Sequence, residues 1–217
     1  MRAVADDVTA NTAAALADSA VRERHETYLC GVVILMTGYF ETFLKEAVRL
    51  FVGHVSRSGK PFVSLPTKMK DHHYEGGARV LTEVTRASGK AGPPKWAASA
   101  SDVVDRLHSV AASATYAILW EAFADTRANP TDDVVSELLS RLCINDPWRK
   151  IEQHTGALKA AHLRANLNSL VGTRNACAHT GTMTPPPTSG TVIEHIDCLT
   201  AIALGIAAVL EAEAKRY

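Results

Sequence analysis

The chain of 217 residues lacks net charge, with 23 Lys and Arg against 23 Asp and Glu. It also lacks any uninterrupted apolar run near the roughly 18 residues of a membrane span, which points to a soluble protein with no membrane partner. The four cysteines, Cys30, Cys143, Cys177 and Cys198, show no Cys-x-x-Cys spacing. That argues against a zinc knuckle and a disulfide framework and leaves reduced, mostly buried thiols as the expectation. No internal repeat, glycine-rich phosphate loop or Gly-x-Ser-x-Gly elbow is present, so no nucleotide cofactor and no esterase-type nucleophile are expected. The first twenty residues carry Asp6, Asp7 and Asp18 and no leucine-rich block, so they do not read as a secretory signal and the expected compartment is the cytoplasm.

Strand-like alternation is absent too, and helical spacing is present almost everywhere. Residues 28–56 contain no Pro and place Phe40, Phe43, Leu44, Ala47, Val48 and Phe51 at three- and four-residue intervals, predicting one long amphipathic helix. The Ala-rich stretch at about 4–25 predicts a helix before it, separate or continuous through a bend. Asn129-Pro130-Thr131-Asp132-Asp133 puts Pro and acids where a helix starts, and an apolar stripe follows to Ile144. A helix at about 157–179 is closed by Gly181 and the prolines at 185–187. The last helix, at about 190–214, aligns Ile193, Ile196, Leu199, Ile202, Ile206 and Leu210. The expected architecture is all-α: a single domain over residues 1–217, about four principal helices with shorter ones in the middle.

That middle is uneven in charge: residues 45–95 hold ten basic and four acidic side chains, and 96–142 three and seven. Pro61, Pro66, Gly76 and Gly77 read as helix breakers, as does GKAGPP at 89–94, so a basic, irregular insertion is expected at about 57–99 with a short helix near 78–88. It faces either a polyanion or plain solvent. His72-His73 and the His154…His162 pair read as surface histidines, and Trp96, Trp120 and Trp148 as packing residues.

Chemistry points to one place. The pattern Arg-x4-His occurs at Arg49…His54, Arg149…His154 and Arg174…His179, so spacing alone does not choose among them. Only the third has Asn directly after the Arg and Ala directly before the His, near a helix end followed by one last amphipathic helix. In this setting Arg174-Asn175-Ala176-Cys177-Ala178-His179 resembles the Arg-Asn-x-x-x-His-like motif of HEPN-superfamily ribonucleases, and most of all HEPN proteins of the RiboL-PSP type from prokaryotic defence and toxin–antitoxin settings. GYFETFLKEAV at 38–48 is similar to that group's early helix with its aromatic–Glu pair, and the Asn-Pro…Asp-x-Trp stretch at 128–152 to its middle.

The resemblance implies a HEPN-like helical bundle acting on RNA as a homodimer, with an antitoxin or defence-system protein as a further partner. It implies Arg174 and His179 as the catalytic pair, with Asn175 and Glu41 supporting, and no metal. Helix geometry states the problem that, as the resemblance implies, a second copy solves. At 100° per residue Asn175 and His179 share a stripe, whereas Arg174 lies 140° from His179, so one helix does not easily converge Arg and His. An isologous dimer duplicates both around a shared cleft. Histidine suits proton transfer near neutral pH, and Arg clamps a phosphate with a planar, permanently charged fork. On this reading Asn175 holds His179 or the helix end, and Glu41, set among Phe40, Phe43 and Leu44, needs a partner such as Arg174. Thr180 and Gly181 follow His179, where some HEPN toxins carry a Tyr two positions on that a partner nucleotidyltransferase modifies.

Plainer readings stand beside these. His179 is also what a helix C-terminus favours through its dipole, Arg174 and Asn175 also read as an intramolecular salt bridge and a helix-end hydrogen bond, and Cys177 points away from the motif into the core. The competing function is a non-catalytic HEPN module that dimerises or binds nucleic acid or a protein.

Overall fold

The computed structural model describes residues 2–87, 96, 98–112, 116–126, 129–180 and 185–217. Among them there are nine α-helices, one short 3-10 turn and no strand, so the architecture is all-α as expected. The expected break at 89–94 lies outside the described residues.

The first two helices, α1 (Arg2–Ala17) and α2 (Ser19–Arg57), are separate. Asp18 divides them as the cap of α2: its Oδ1 accepts the Ala20 N–H at 2.8 Å. The inward face of α2 carries Leu29, Val33, Met36, Phe40, Leu44, Val48 and Phe51, the three- and four-residue spacing read from the sequence. The α2 and α9 (Ser189–Ala214) helices are each long and apolar enough to cross a membrane by length and composition; 44% and 50% of their most apolar windows are buried in the fold.

Two compact units divide the chain, and α2, α6 (Asp132–Arg141), α9 and, by Pro147 alone, the short helix that begins there contribute residues to both. The first comprises Met1–Phe43, Ala128–Val135 and Trp148–Ala208. It holds α1, most of α2, α7 (Pro147–Glu152) from Trp148 on, α8 (Ala160–Thr180) and most of α9. Here Gly205 of α9 lets the helix press on α7, since a Cβ at that position would sit 2.8 Å from Ile151 Cγ2.

The second unit comprises Leu44–Arg127, Ser136–Pro147 and Val209–Tyr217. It corrects the reading of the basic insertion. Residues 67–87 form one continuous helix, α3 (Thr67–Ala87), whose buried side carries Met69, His73, Gly76, Gly77, Val80 and Val84. Gly76 and Gly77 are not breakers. They are the points where neighbours approach: a Cβ on Gly76 would lie 2.8 Å from both the Cβ and the carbonyl oxygen of Ala122 in α5 (Trp120–Ala124), and one on Gly77 would lie 2.5 Å from Leu107 Cδ2 in α4 (Ala100–Ala112). Pro66 stands just before the first turn, where a missing N–H costs nothing. Close contact with Ala122 predicts that Gly76→Val lowers stability by about 2 kcal/mol, because backbone must shift to admit the side chain. Urea unfolding of the variant and parent checks it.

His73 also departs from expectation, being fully buried rather than at the surface. Its Nδ1 accepts the Leu119 N–H at 3.2 Å, and its ring packs edge-on against Phe62 at 5.5 Å. Burial lowers its pKa to about 4, so it is a neutral core imidazole. Trp96 and Trp120 pack edge to face at 5.9 Å and Trp148 is buried, as packing residues should be. The α4 helix opens on a reciprocal cap, in which Ser99 Oγ accepts the Asp102 N–H at 3.1 Å and Asp102 Oδ2 accepts the Ser99 N–H at 3.0 Å.

Candidate functional site

The Arg174…His179 segment lies in the last two turns of α8, within the first unit. What fixes this part of α8 is a row of polar side chains on one face. Arg164, Asn168 and Asn175 fall at i, i+4 and i+11, within about 40° of one another on a helical wheel. All three bind the turn that precedes and opens α6.

Asp132 is the anchor of that turn. Its Oδ2 accepts Arg164 Nε at 2.6 Å and its Oδ1 accepts Asn168 Nδ2 at 2.8 Å. Its own N–H donates to Asn168 Oδ1 at 3.0 Å, and its carbonyl accepts the Trp148 indole N–H at 3.3 Å. Burial pushes the Asp132 carboxyl up, but the hydrogen bonds from Asn168 and Arg164, with the Arg164 charge, outweigh it and hold the group below the usual carboxylate value. The sequence marks Asp132 only as a helix-opening acid; its structural task is to tie the turn to α8.

Three residues earlier in the same turn, Asn129 reaches the motif. Asn129 Nδ2 donates to Asn175 Oδ1 at 2.8 Å, and the same oxygen accepts Arg174 Nη1 at 3.2 Å. Asn175 Oδ1 thus serves the guanidinium and the Asn-Pro turn, a placement beyond the expected role of holding His179 or the helix end. One carbonyl oxygen accepting from two directions fixes where the half-buried Arg174 head lies.

Arg174 and Asn129 form one side of an open cleft of about 430 Å³, and α2 from Ile34 to Thr42 supplies the other. Glu41 lines it as well, so the structure brings Glu41 and Arg174 to the same cleft. His179 is exposed and is not among the lining residues. Thus Arg174, Asn175 and Glu41 come together within one chain and His179 stands apart on the same helix, as the 140° separation requires.

Cys177 takes no part in the cleft. It is buried, and its thiol donates to Cys30 Sγ at 2.9 Å. Burial, with the Cys30 neighbour, pushes its pKa up to about 12, which leaves no thiolate for nucleophilic work. Among the described residues, no three His, Cys, Asp or Glu side chains are grouped to share a metal ion.

Asn129 is the residue that sequence reasoning passed over. The Asn-Pro pair was visible, but it reads locally as a helix start, and its partner lies 46 positions away. A model of the RiboL-PSP-HEPN family matches residues 9–212, which takes in all nine helices at least in part. No curated protein and no solved structure matches the chain.

Proposed function

The chain belongs to the RiboL-PSP-HEPN family, and from that premise we propose that it is a metal-independent endoribonuclease working as a homodimer. The observation that carries this reading is the held guanidinium: Arg174, bonded to Asn175 Oδ1, at the side of an open cleft and on the same helix as the exposed His179.

In the proposed reaction the 2′-hydroxyl of RNA attacks the adjacent phosphorus and the 5′-oxygen of the next nucleotide leaves. One His179 takes the 2′-hydroxyl proton, and the partner subunit's His179 gives a proton to the 5′-oxygen. Arg174 balances the charge that gathers on the phosphoryl oxygens, where a fixed cation acts most strongly. The products are a 2′,3′-cyclic phosphate and a 5′-hydroxyl. The setting we propose is a cytoplasmic toxin or anti-phage effector, restrained by an antitoxin or defence-system partner.

The test is incubation of purified wild type, His179→Ala and Arg174→Ala with tRNA and total RNA. Cutting by wild type alone supports the nuclease. Equal cutting by all three assigns the activity elsewhere.

Asn175 and Asn129 are positioning residues on this account. Asn175→Ala is expected to lower kcat about tenfold, because it removes the acceptor of Arg174 itself, and Asn129→Ala to lower it less, because Asn175 Oδ1 still accepts Arg174. The double variant should be no worse than Asn175→Ala alone, and the kinetic double-mutant cycle measures this.

A second reading, a HEPN module that binds nucleic acid or a protein without cutting, draws on His179 lying outside the cleft lining. It predicts RNA retention with no cleavage at any enzyme concentration.

A further inference from the structure

The cleft beside Arg174 has an aromatic and apolar rim that the cleavage chemistry does not use. Tyr39 and Leu35 are one helical turn apart on α2 and both line it, yet they leave 69% and 59% of their surfaces in solvent. A single exposed Leu calls for no explanation, but an exposed Leu–Tyr pair bordering a cation does. Gly38, between them, adds no side chain, and a Cβ there would meet nothing within 4 Å. An aromatic face and an apolar shelf next to a guanidinium match an unpaired nucleotide, with a π-face on the base and a negative charge on the phosphate.

We infer that Tyr39 is the stacking platform of a nucleobase subsite, holding an unpaired base of single-stranded RNA on α2 while Arg174 holds a neighbouring phosphate. The inference rests on RNA being the ligand of this cleft, as the proposed function has it. The cleft's Asn129, with one Nδ2 proton given to Asn175 Oδ1, has a second amide N–H for a base edge, and Thr42, whose hydroxyl donates to the Gly38 carbonyl at 3.0 Å, adds an acceptor. A second protomer packed over this rim would bury Arg174 and Glu41 together away from water, whereas a single strand lays one phosphate on Arg174 and leaves Glu41 hydrated in the open cleft, which favours RNA over a second copy of the chain as occupant. A duplex offers no free base face, so the subsite selects unpaired RNA.

The experiment measures binding of a short single-stranded RNA oligonucleotide, and of the same sequence as a duplex, to full-length protein carrying His179→Ala so that nothing is cut. Adding Tyr39→Ala should weaken single-strand binding roughly tenfold, the scale of one base–aromatic stack. Tyr39→Phe should restore it, and duplex binding should change with neither. In the cutting protein, Tyr39→Ala should raise KM by the same factor with kcat held. Single-strand affinity equal in the Ala and parent proteins overturns the subsite. So does a shift from dimer to monomer on Tyr39→Ala in sedimentation, which would give the rim to a second copy. Wild-type cleavage run in parallel separates the two claims: RNA cut with an affinity blind to Tyr39 removes the subsite alone. Tyr39-dependent binding without cutting supports the subsite and removes the nuclease.

Discussion

His179→Ala is expected to lower RNA cleavage by about a hundredfold to ten thousandfold, the range that a positioned acid–base group contributes. Stability should change by less than about 0.5 kcal/mol, because the side chain is exposed and its loss leaves no cavity. Arg174→Ala should lose roughly a hundredfold to a thousandfold, and Arg174→Lys should recover little, since an ammonium cannot donate to Asn175 Oδ1 and span a phosphate with a rigid fork. The 140° between the two side chains on α8 adds a sharper expectation. If each reaction needs the His179 of both subunits, mixing wild type with His179→Ala and letting subunits exchange should reduce activity as the square of the wild-type fraction. An equal mixture should retain about a quarter of the activity. A linear fall would mean that each chain carries a complete site.

The second large effect is acid destabilisation centred on His73. The unfolded chain takes up a proton there as pH falls below about 6.5, while the buried native imidazole refuses it until about pH 4. In that window the unfolded state binds more protons, so stability falls with falling pH. The total at this one residue is about 3 kcal/mol, fully lost near pH 4. His72 and His195, also pushed down by burial, act in the same direction. Asp132 continues the trend below pH 4, because a carboxyl held low by Asn168 and Arg164 stabilises the fold only while ionised. His73→Asn should flatten the slope between pH 6.5 and 4, since its Oδ1 can still accept the Leu119 N–H and nothing titrates. Urea unfolding at pH 7.5, 5.5 and 4.5 reads this, and an unchanged slope in the variant would contradict it.

Helix existence was largely legible because apolar spacing and breakers act locally. The last helix was expected at about 190–214 and runs Ser189–Ala214, and the motif helix was expected at about 157–179 and runs Ala160–Thr180. What failed in the second unit failed for one reason. Gly76 and Gly77 read as breakers, and a pair of histidines among Lys, Asp and Glu reads as surface. Yet the spacing Met69, His73, Gly76, Val80, Val84 is itself a helical stripe, with glycines at 76 and 77 where Ala122 and Leu107 approach and histidine where the Leu119 N–H needs an acceptor. Tertiary contact overrode local propensity there.

The site shows the same division. Arg174, Asn175 and His179 could be picked from a six-residue pattern in its context, and Glu41 from its place beside Phe40 in the early helix. The hydrogen bonds that place them could not. Asn129 to Asn175 and Asp132 to Asn168 join residues 46 and 36 apart, and nothing near either end announces the partner. Asn and Asp near a proline satisfy the local rules for a turn equally well whether or not a helix packs across it.

The nature of the RNA ends tests the central claim most directly. Wild-type protein is incubated with tRNA in excess EDTA and the new termini are identified chemically. The account predicts cleavage undiminished by EDTA, with 2′,3′-cyclic phosphate and 5′-hydroxyl ends that are absent when His179→Ala or Arg174→Ala replaces the wild type. Cleavage that stops in EDTA, or that leaves 5′-phosphate and 3′-hydroxyl ends, would contradict it.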